Sequence, residues 1–582
     1  MSETFSTTVI GSAGTTIALS GTLTPAAAPP VITPPPVVTP PIVIPPTSQV
    51  VFPASDVPGW PGMVYGSDTW PNAPKDAYGQ YDLTEFVKAV TPVYVSPATG
   101  AAVSRPGDYH DFRTAQAAAI KNGSNAVGFY RGNKYGPSEC NNNIIMSGAL
   151  SQPAMVFACG ADGMPQTFDN AAPQLAGGAR LCNYVGPGSP IKYFIMQGIA
   201  ASNTTSPGTG GSAFGLVDTN CGIASGPLAW LNCEADGYAW ALDVEADDPL
   251  GYQFNTVVVQ GCNFHDNFGG STVGGAYFYG CRDLHITGNW IIGNGRKTTL
   301  GAAHGIYLNY PYGLTTDPQL RIDNNFFIAN AACACEANCG ALYRYNASLA
   351  TPIGPYGGGG AQAGIDFLVV DGGSGEFDLT KVVFASQFTT SGAMLPQLAG
   401  GALSLQPGAP GNPWRGWGAF LDCATTGYMH DYWAIGKTDA GDIPNSGFAA
   451  AVRTIDAGKP SMPSEATNAT VGPNVFGSWY CTTGNFGVAL SQSGPPQPVI
   501  TLVQPVDLPS GSSPSGITYI KGLFDATRTV SAYAKTLTET YPDVVDGPSF
   551  ANHCRNMALQ GSGLDPKFTA KAYTQWAMGG VE

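Results

Sequence analysis

Three stretches between residues 254 and 330 repeat one pattern, and that repeat constrains the fold more than any other feature of the chain. They are Val257 to Asn267, Leu284 to Asn294 and Leu320 to Asn330. Each holds a short alternating strand, then a polar pair containing Gly or Asn. An asparagine followed by an aromatic comes next (Asn263-Phe264, Asn289-Trp290, Asn325-Phe326), with a further asparagine a few residues on. The asparagines before the rings fall 26 and then 36 residues apart, one winding of a stacked-strand solenoid and one winding with an insertion near Leu300 or Pro311 to Pro318. A turn between successive strands needs a left-handed residue, which Gly and Asn supply most readily. Asparagines at equivalent turns can bond to one another along the stack. The expectation is one column of Asn263, Asn289 and Asn325, with the following ring pointing inward and stacking on its counterpart. A second pair of strands repeats as well: Ala276 to Tyr279 precedes the second stretch and His304 to Asn309 precedes the third.

Composition supports strands and turns. Only 11% of residues are charged, and the chain holds 76 Gly and 48 Pro, well above their usual combined share of roughly 12%. Hydrophobic residues at 43% supply a core. The net charge of −15 argues against a phosphate-backbone partner, which needs clustered Lys and Arg, and does not forbid a polysaccharide, even an acidic one met by a local basic groove. No P-loop, Rossmann fingerprint, H-E-x-x-H or G-x-S-x-G occurs. No run of 18 apolar residues is present to span a membrane, and Met-Ser-Glu-Thr-Phe does not start a secretory leader.

Ahead of the repeat, Asp111 to Ile120 reads as a short helix with an acidic start. It is followed by the apolar run Ala126 to Tyr130 and by Gly132-Asn133-Lys134-Tyr135. This order, with His304-Gly305-Ile306-Tyr307-Leu308, resembles pectate-lyase-like right-handed β-helix proteins, clearest over residues 110 to 345. There a short helix closes the end of the solenoid and so covers an apolar surface and a sheet edge. The expected fold is therefore all-β: a right-handed parallel β-helix solenoid with an N-terminal tether and a mixed C-terminal region. The divisions are an attachment peptide (1–24), a proline-rich linker (25–48), a turn-rich segment (49–105), the β-helix (106–390) and a β-rich or mixed end (391–582), with helical stretches near Val530 to Thr540 and Pro566 to Trp576.

The layout resembles phage tail spikes, which join an attachment segment, a β-helix and a C-terminal part. That likeness implies a virion or surface location, a homotrimer, and a host or environmental polysaccharide that is bound and in some spikes cleaved. A secreted polysaccharide lyase or glycoside hydrolase and a purely structural solenoid stay open beside it. The catalytic candidates are Asp243 and Glu245, two residues apart on one strand face about 7 Å from each other, and His304 with Tyr307. With Asp247 and Asp248 the acidic pair could also take calcium; no other cofactor is expected. His265 with Asp266 ranks below these, because neighbours on a turn seldom face one substrate. The carbohydrate-binding candidates are Trp414, Trp417 and Trp433, with Arg296 near His304. Thirteen cysteines include the close set Cys333, Cys335 and Cys339, which reads as small buried residues or a local disulfide before a metal site.

Overall fold

The fold is taken from a computed structural model. It describes most of residues 83–349 apart from loops such as 141–153, 186–193, 247–253, 296–302 and 310–318. It also describes strands between 364 and 502, most of 530–546 and 565–577, and short strands before residue 66. Two units are distinct. Met1–Pro46 contains an antiparallel hairpin of Glu3–Ile10 and Thr16–Leu23, and Thr47–Glu582 contains everything that follows.

The second unit is a solenoid of parallel strands arranged as three ladders. Ladder A starts at Val93–Val95 and Ala126–Tyr130, runs through Phe254–Gln260, Asp283–Thr287 and Gln319–Asp323, and ends at Val499–Leu502. Ladder B is built of very short strands, among them Glu234–Asp236, Asn263–His265, Trp290–Ile292 and Phe326–Ile328. Ladder C runs from Leu181–Val185 through Trp240–Ala246, Val273–Tyr279, Ala303–Asn309 and Cys333–Ala337 to Val488–Leu490. Each winding contributes one strand to each ladder, so its apolar residues meet those of the windings above and below. On ladder A the inward line is Met196, Trp230, Val259, Ile286, Ile322 and Tyr343. On ladder C it includes Phe214, Leu242, Ala276, Ile306 and Cys335. All belong to one continuous buried core. Period-2 alternation places these residues inside and leaves their neighbours outside.

The corner between ladders A and B explains the sequence repeat. A residue with positive φ comes first: Gly198 (73°), Asn232 (52°), Gly261 (64°), Gly288 (65°) and Asn324 (58°). The next residue turns inward to form the column Cys233, Cys262, Asn289, Asn325, Asn346. Asn289 Nδ2 donates to Asn325 Oδ1 at 2.9 Å, and Asn325 Nδ2 to Asn346 Oδ1 at 3.0 Å. Each amide also donates to a ladder A carbonyl of the winding before it, Asn289 to Val259, Asn325 to Ile286 and Asn346 to Ile322. In the earlier windings a thiol fills the same place: Cys262 Sγ donates to the Trp230 carbonyl at 3.4 Å. Cysteines 140, 159, 233, 262, 281 and 335 are buried and lie outside any disulfide.

The column corrects one expectation. Asn263 lies one residue beyond it, in register with Trp290 and Phe326. A one-residue slip exchanges inside for outside, so Phe264 enters the core while Trp290 and Phe326 point outward. Those two rings do stack, with centroids 4.2 Å apart, but on the outer surface. A second asparagine column, Asn267, Asn294 and Asn330, closes the other end of ladder B with the same amide-to-amide bonds at 3.0 Å.

Segments flanking the solenoid cover parts of two outer faces. The helix Phe112–Lys121, capped by Asp111 accepting from the Thr114 N–H at 2.8 Å, places Phe112, Ala115 and Ala119 against the end of the core. Leu83 and Val87 pack over the outer line Ala126, Met155, Ile195, Ala229 and Val258 of ladder A. Phe550 and Tyr573, from the C-terminal segment with its helices Val530–Leu537 and Ala570–Ala577, lie on Trp290 and Phe326 of ladder B at 5.9–6.1 Å. The Lys571 N–H donates to Asn324 Oδ1 at 2.7 Å, which ties that segment to the corner. Among the described residues no helix is long and apolar enough to cross a membrane.

Candidate functional site

The outer face of ladder C differs from the other two. Ala241, Leu242 and Val244 belong to the core and Trp240 does not, although it is buried, whereas Asp243 and Glu245 are partly exposed. Pairing then sets one line along the solenoid: Asp243 beside Tyr277, Tyr277 beside Tyr307, Tyr307 beside Glu336. Each step is one strand spacing of about 4.8 Å, so the line is about 14 Å long. Two further lines flank it, Trp240, Gly274, His304 and Cys333 on one side and Glu245, Tyr279 and Asn309 on the other. Asp243, Glu245, Tyr277, Tyr279 and Tyr307 are partly exposed.

The rings of this face form a continuous stack. Trp240 lies 5.4 Å from Tyr277, Tyr277 lies 5.3 Å from Tyr307, and His304 lies 4.8 Å from Tyr307. A Cβ at Gly274 would come within 2.5 Å of the Trp240 ring, so glycine there lets the indole fold down onto the next winding. Both tyrosines of this stack are partly exposed.

The titratable groups at the two ends differ. Asp243 accepts from the Ser212 hydroxyl at 2.8 Å and is in hydrogen-bond contact with Glu245. Burial raises its pKa above the usual carboxylate range, and those hydrogen bonds pull the other way. The two carboxyls of this strand thus act on one another. His304 is 3% exposed, and its Nδ1 lies 3.3 Å from Glu336 Oε2. Burial lowers its pKa to about 3, so it is neutral and its ring buttresses Tyr307.

A second cluster lies on the outer side of ladder B, where sequence adjacency had ranked His265 and Asp266 low. His265 Nε2 meets Glu234 Oε1 at 2.9 Å, one winding away, and Nδ1 meets Asp266 Oδ2 at 3.1 Å. Burial works against the charged ring, but the hydrogen bonds to Asp266 and Glu234 and the nearby negative charges raise its pKa to about 10. Asp236, in register with His265, accepts from the Ser202 hydroxyl at 3.0 Å and has its pKa raised by burial. Glu234 is only 4% exposed, so this cluster ties two windings together.

The other candidates sit elsewhere. Arg296, Trp414, Asp247, Asp248 and Cys339 lie outside the described residues. Trp417 is on ladder C, in register with Ile365, whereas Trp433 pairs with Phe388 and Val475 on ladder B. Their strands thus belong to different ladders. Among the described residues no group of three His, Cys, Asp or Glu side chains is arranged to hold a metal ion. Sequence reading missed Trp240, Ser212, Tyr277 and Glu336 as members of the site; the signal that finds them is the pairing of residues one winding apart. Comparison with known proteins returns no match to a family model, to a curated protein or to a solved structure.

Proposed function

We propose that this chain is a right-handed parallel β-helix that binds an extended polysaccharide along the outer face of ladder C. The observation that carries this reading is the line Asp243, Tyr277, Tyr307, Glu336, of which the first three are partly exposed and Glu336 is buried, while flanking segments pack on ladders A and B. Carboxylate oxygens and phenolic hydroxyls repeating at each winding suit a polymer whose hydroxyls also repeat. The right hand follows from the strong preference of parallel strand crossovers. The N-terminal hairpin unit and its proline-rich linker serve as the attachment to a virion or other large surface, and three copies assemble as in tail spikes. Light scattering on the full chain tests the trimer.

Binding is tested by affinity electrophoresis of the full chain through a panel of polysaccharides. The double variant Tyr277→Ala/Tyr307→Ala is expected to lose at least ~10-fold in retention with its circular dichroism unchanged. Equal retention of variant and parent would remove the ladder C face from consideration.

Cleavage is a second reading, favoured by Asp243. A carboxyl whose pKa is raised by burial can act as a general acid on a glycosidic oxygen. The depth of His304 argues against a lyase, whose base must reach a ring proton of the polymer. Release of reducing ends, abolished by Asp243→Asn with the circular dichroism unchanged, is the expected result; retention of the parent without release leaves a binding protein.

A further inference from the structure

Two cysteines occupy the start of the inward column at the corner between ladders A and B. Leu231 pairs with Gln260 and Glu234 with Asn263, so Cys233 and Cys262 stand opposite one another on neighbouring windings. Neighbouring strands place such Cα atoms about 4.8 Å apart, inside the window of roughly 4.4–6.8 Å that a disulfide needs. The backbone fixes this register on both sides: the Asn263 N–H donates to the Cys233 carbonyl at 2.8 Å, and the Asn232 N–H to the Gln260 carbonyl at 2.8 Å. Both side chains are fully buried in the core, and the Cys262 thiol is hydrogen-bonded with Cys233. Their other contacts are backbone carbonyls. Cys233 Sγ lies 3.4 Å from the Leu231 oxygen and 3.9 Å from that of Met196, and Cys262 Sγ lies 3.4 Å from Trp230 and 3.6 Å from Gln260. An S–H group donates weakly, so these contacts hold the windings less firmly than the amide bond of Asn289 to Asn325. Among the described residues no other two cysteines face one another across neighbouring strands: Cys159 is in register with Tyr130, and Cys335 with Ile306 and Phe367.

We propose that Cys233 and Cys262 are an oxidisable pair that closes into a disulfide joining two consecutive windings of the solenoid. Both S–H bonds break and one S–S bond forms. The two electrons and both protons pass to a small-molecule disulfide such as oxidised glutathione, which leaves as two thiols. The attacking group must be a thiolate, and burial pushes the Cys262 thiol well above its ordinary range. The step therefore proceeds while the corner is loosened or not yet wound, and the packed core then shields the bond. Once closed, it replaces two weak donors with a covalent tie at the place where the asparagine column begins. The oxidation state of this pair thus sets how firmly the windings before Asn289 hold together.

The test incubates the full chain with oxidised glutathione at about pH 8.5, near the ordinary thiol pKa, in urea below the unfolding transition. The product is alkylated in guanidinium and digested with chymotrypsin, which cuts between the two cysteines at Tyr238 and Trp240. The expected result is a linked peptide pair joining Cys233 to Cys262, lighter than its two parts by two hydrogens and separated by a reductant. The oxidised chain should also melt several degrees above the reduced one. The variant Cys262→Asn extends the asparagine column by one winding and so keeps the corner filled. It should yield no linked pair at Cys233 and show no redox-dependent melting shift. Recovery of both Cys233 and Cys262 as alkylated or glutathione-capped residues would overturn the proposal, as would linkage of either one to Cys221 or Cys281 instead.

Discussion

Two ring stacks on this solenoid have the same construction and opposite surroundings. Trp290 and Phe326 stack on ladder B with interplanar angle 27°, and Tyr277 and Tyr307 stack on ladder C with angle 28°. Both pairs bridge the same two windings. The first pair is 1–2% exposed beneath Phe550 and Tyr573, which themselves pack with Tyr533 and Phe568. The second is partly open. The difference lies in the ring tips. A phenol keeps its hydroxyl wet while its body packs on neighbours, whereas indole and phenyl rings side by side make an apolar patch that must be covered. The C-terminal segment covers one patch, and the hydroxylated one stays partly open.

The largest effect that could break this contrast is Trp290→Ala. Removing a buried indole should cost about 3–5 kcal/mol and loosen the segment around Phe550 and Tyr573. Denaturant unfolding reads the first, and proteolytic nicking between residues 530 and 577 reads the second. Tyr277→Ala, by contrast, should cost under ~1.5 kcal/mol and leave the nicking pattern unchanged. Similar losses from both would mean that ladder C is as covered as ladder B.

A smaller effect tests the corner on which both stacks depend. Asn325 is fully buried, donates to Ile286 and Asn346, and accepts from Asn289. Asn325→Ala should destabilise by about 2–4 kcal/mol, since several buried donors and acceptors lose partners at once. Asn263→Ala, one residue outside the column and with a single 3.5 Å bond to Glu234, should cost clearly less. Thermal melts of the two variants compare them directly, and equal losses would reject the column as drawn.

That pair of asparagines also shows what the sequence made legible. Period-2 strands, the closing helix at Asp111 and the two strand sets of ladder C are visible because each obeys a local rule. The slip at Asn263 arose because asparagine serves three roles here: left-handed corner in Asn324, inward bonding residue in Asn289, and outer residue in Asn263. Aligning on the left-handed position, Gly261 with Gly288 and Asn324, would have set Cys262 opposite Asn289. The bond of His265 to Glu234, 31 residues away, was hidden because contacts in a solenoid run between windings rather than along the chain. The cover on Trp290 was hidden more deeply: no periodicity links it to Phe550.

The finest test uses one histidine from each face. His265, at the ladder B cluster, has its pKa raised from 6.5 to about 10, and His304, under the ladder C tyrosines, has its pKa lowered from 6.5 to about 3. The sign of each follows from linkage. A raised histidine binds its proton more tightly when folded, so its stabilising contribution is complete below pH 6.5 and is lost as pH climbs toward 10. A lowered histidine resists protonation when folded, so stability is complete above pH 6.5 and is lost as pH falls toward 3. Replacing His265 by Gln should therefore flatten the alkaline limb of a stability–pH curve, and replacing His304 by Gln the acid limb. Side-chain NMR should show the His304 ring neutral from pH 5 to 9 and the His265 ring protonated over most of that range. If instead His304 titrated near 6.5, water would be reaching the ring beneath Tyr307, and the ladder C face would be a deeper cleft than a line of hydroxyls over a packed support.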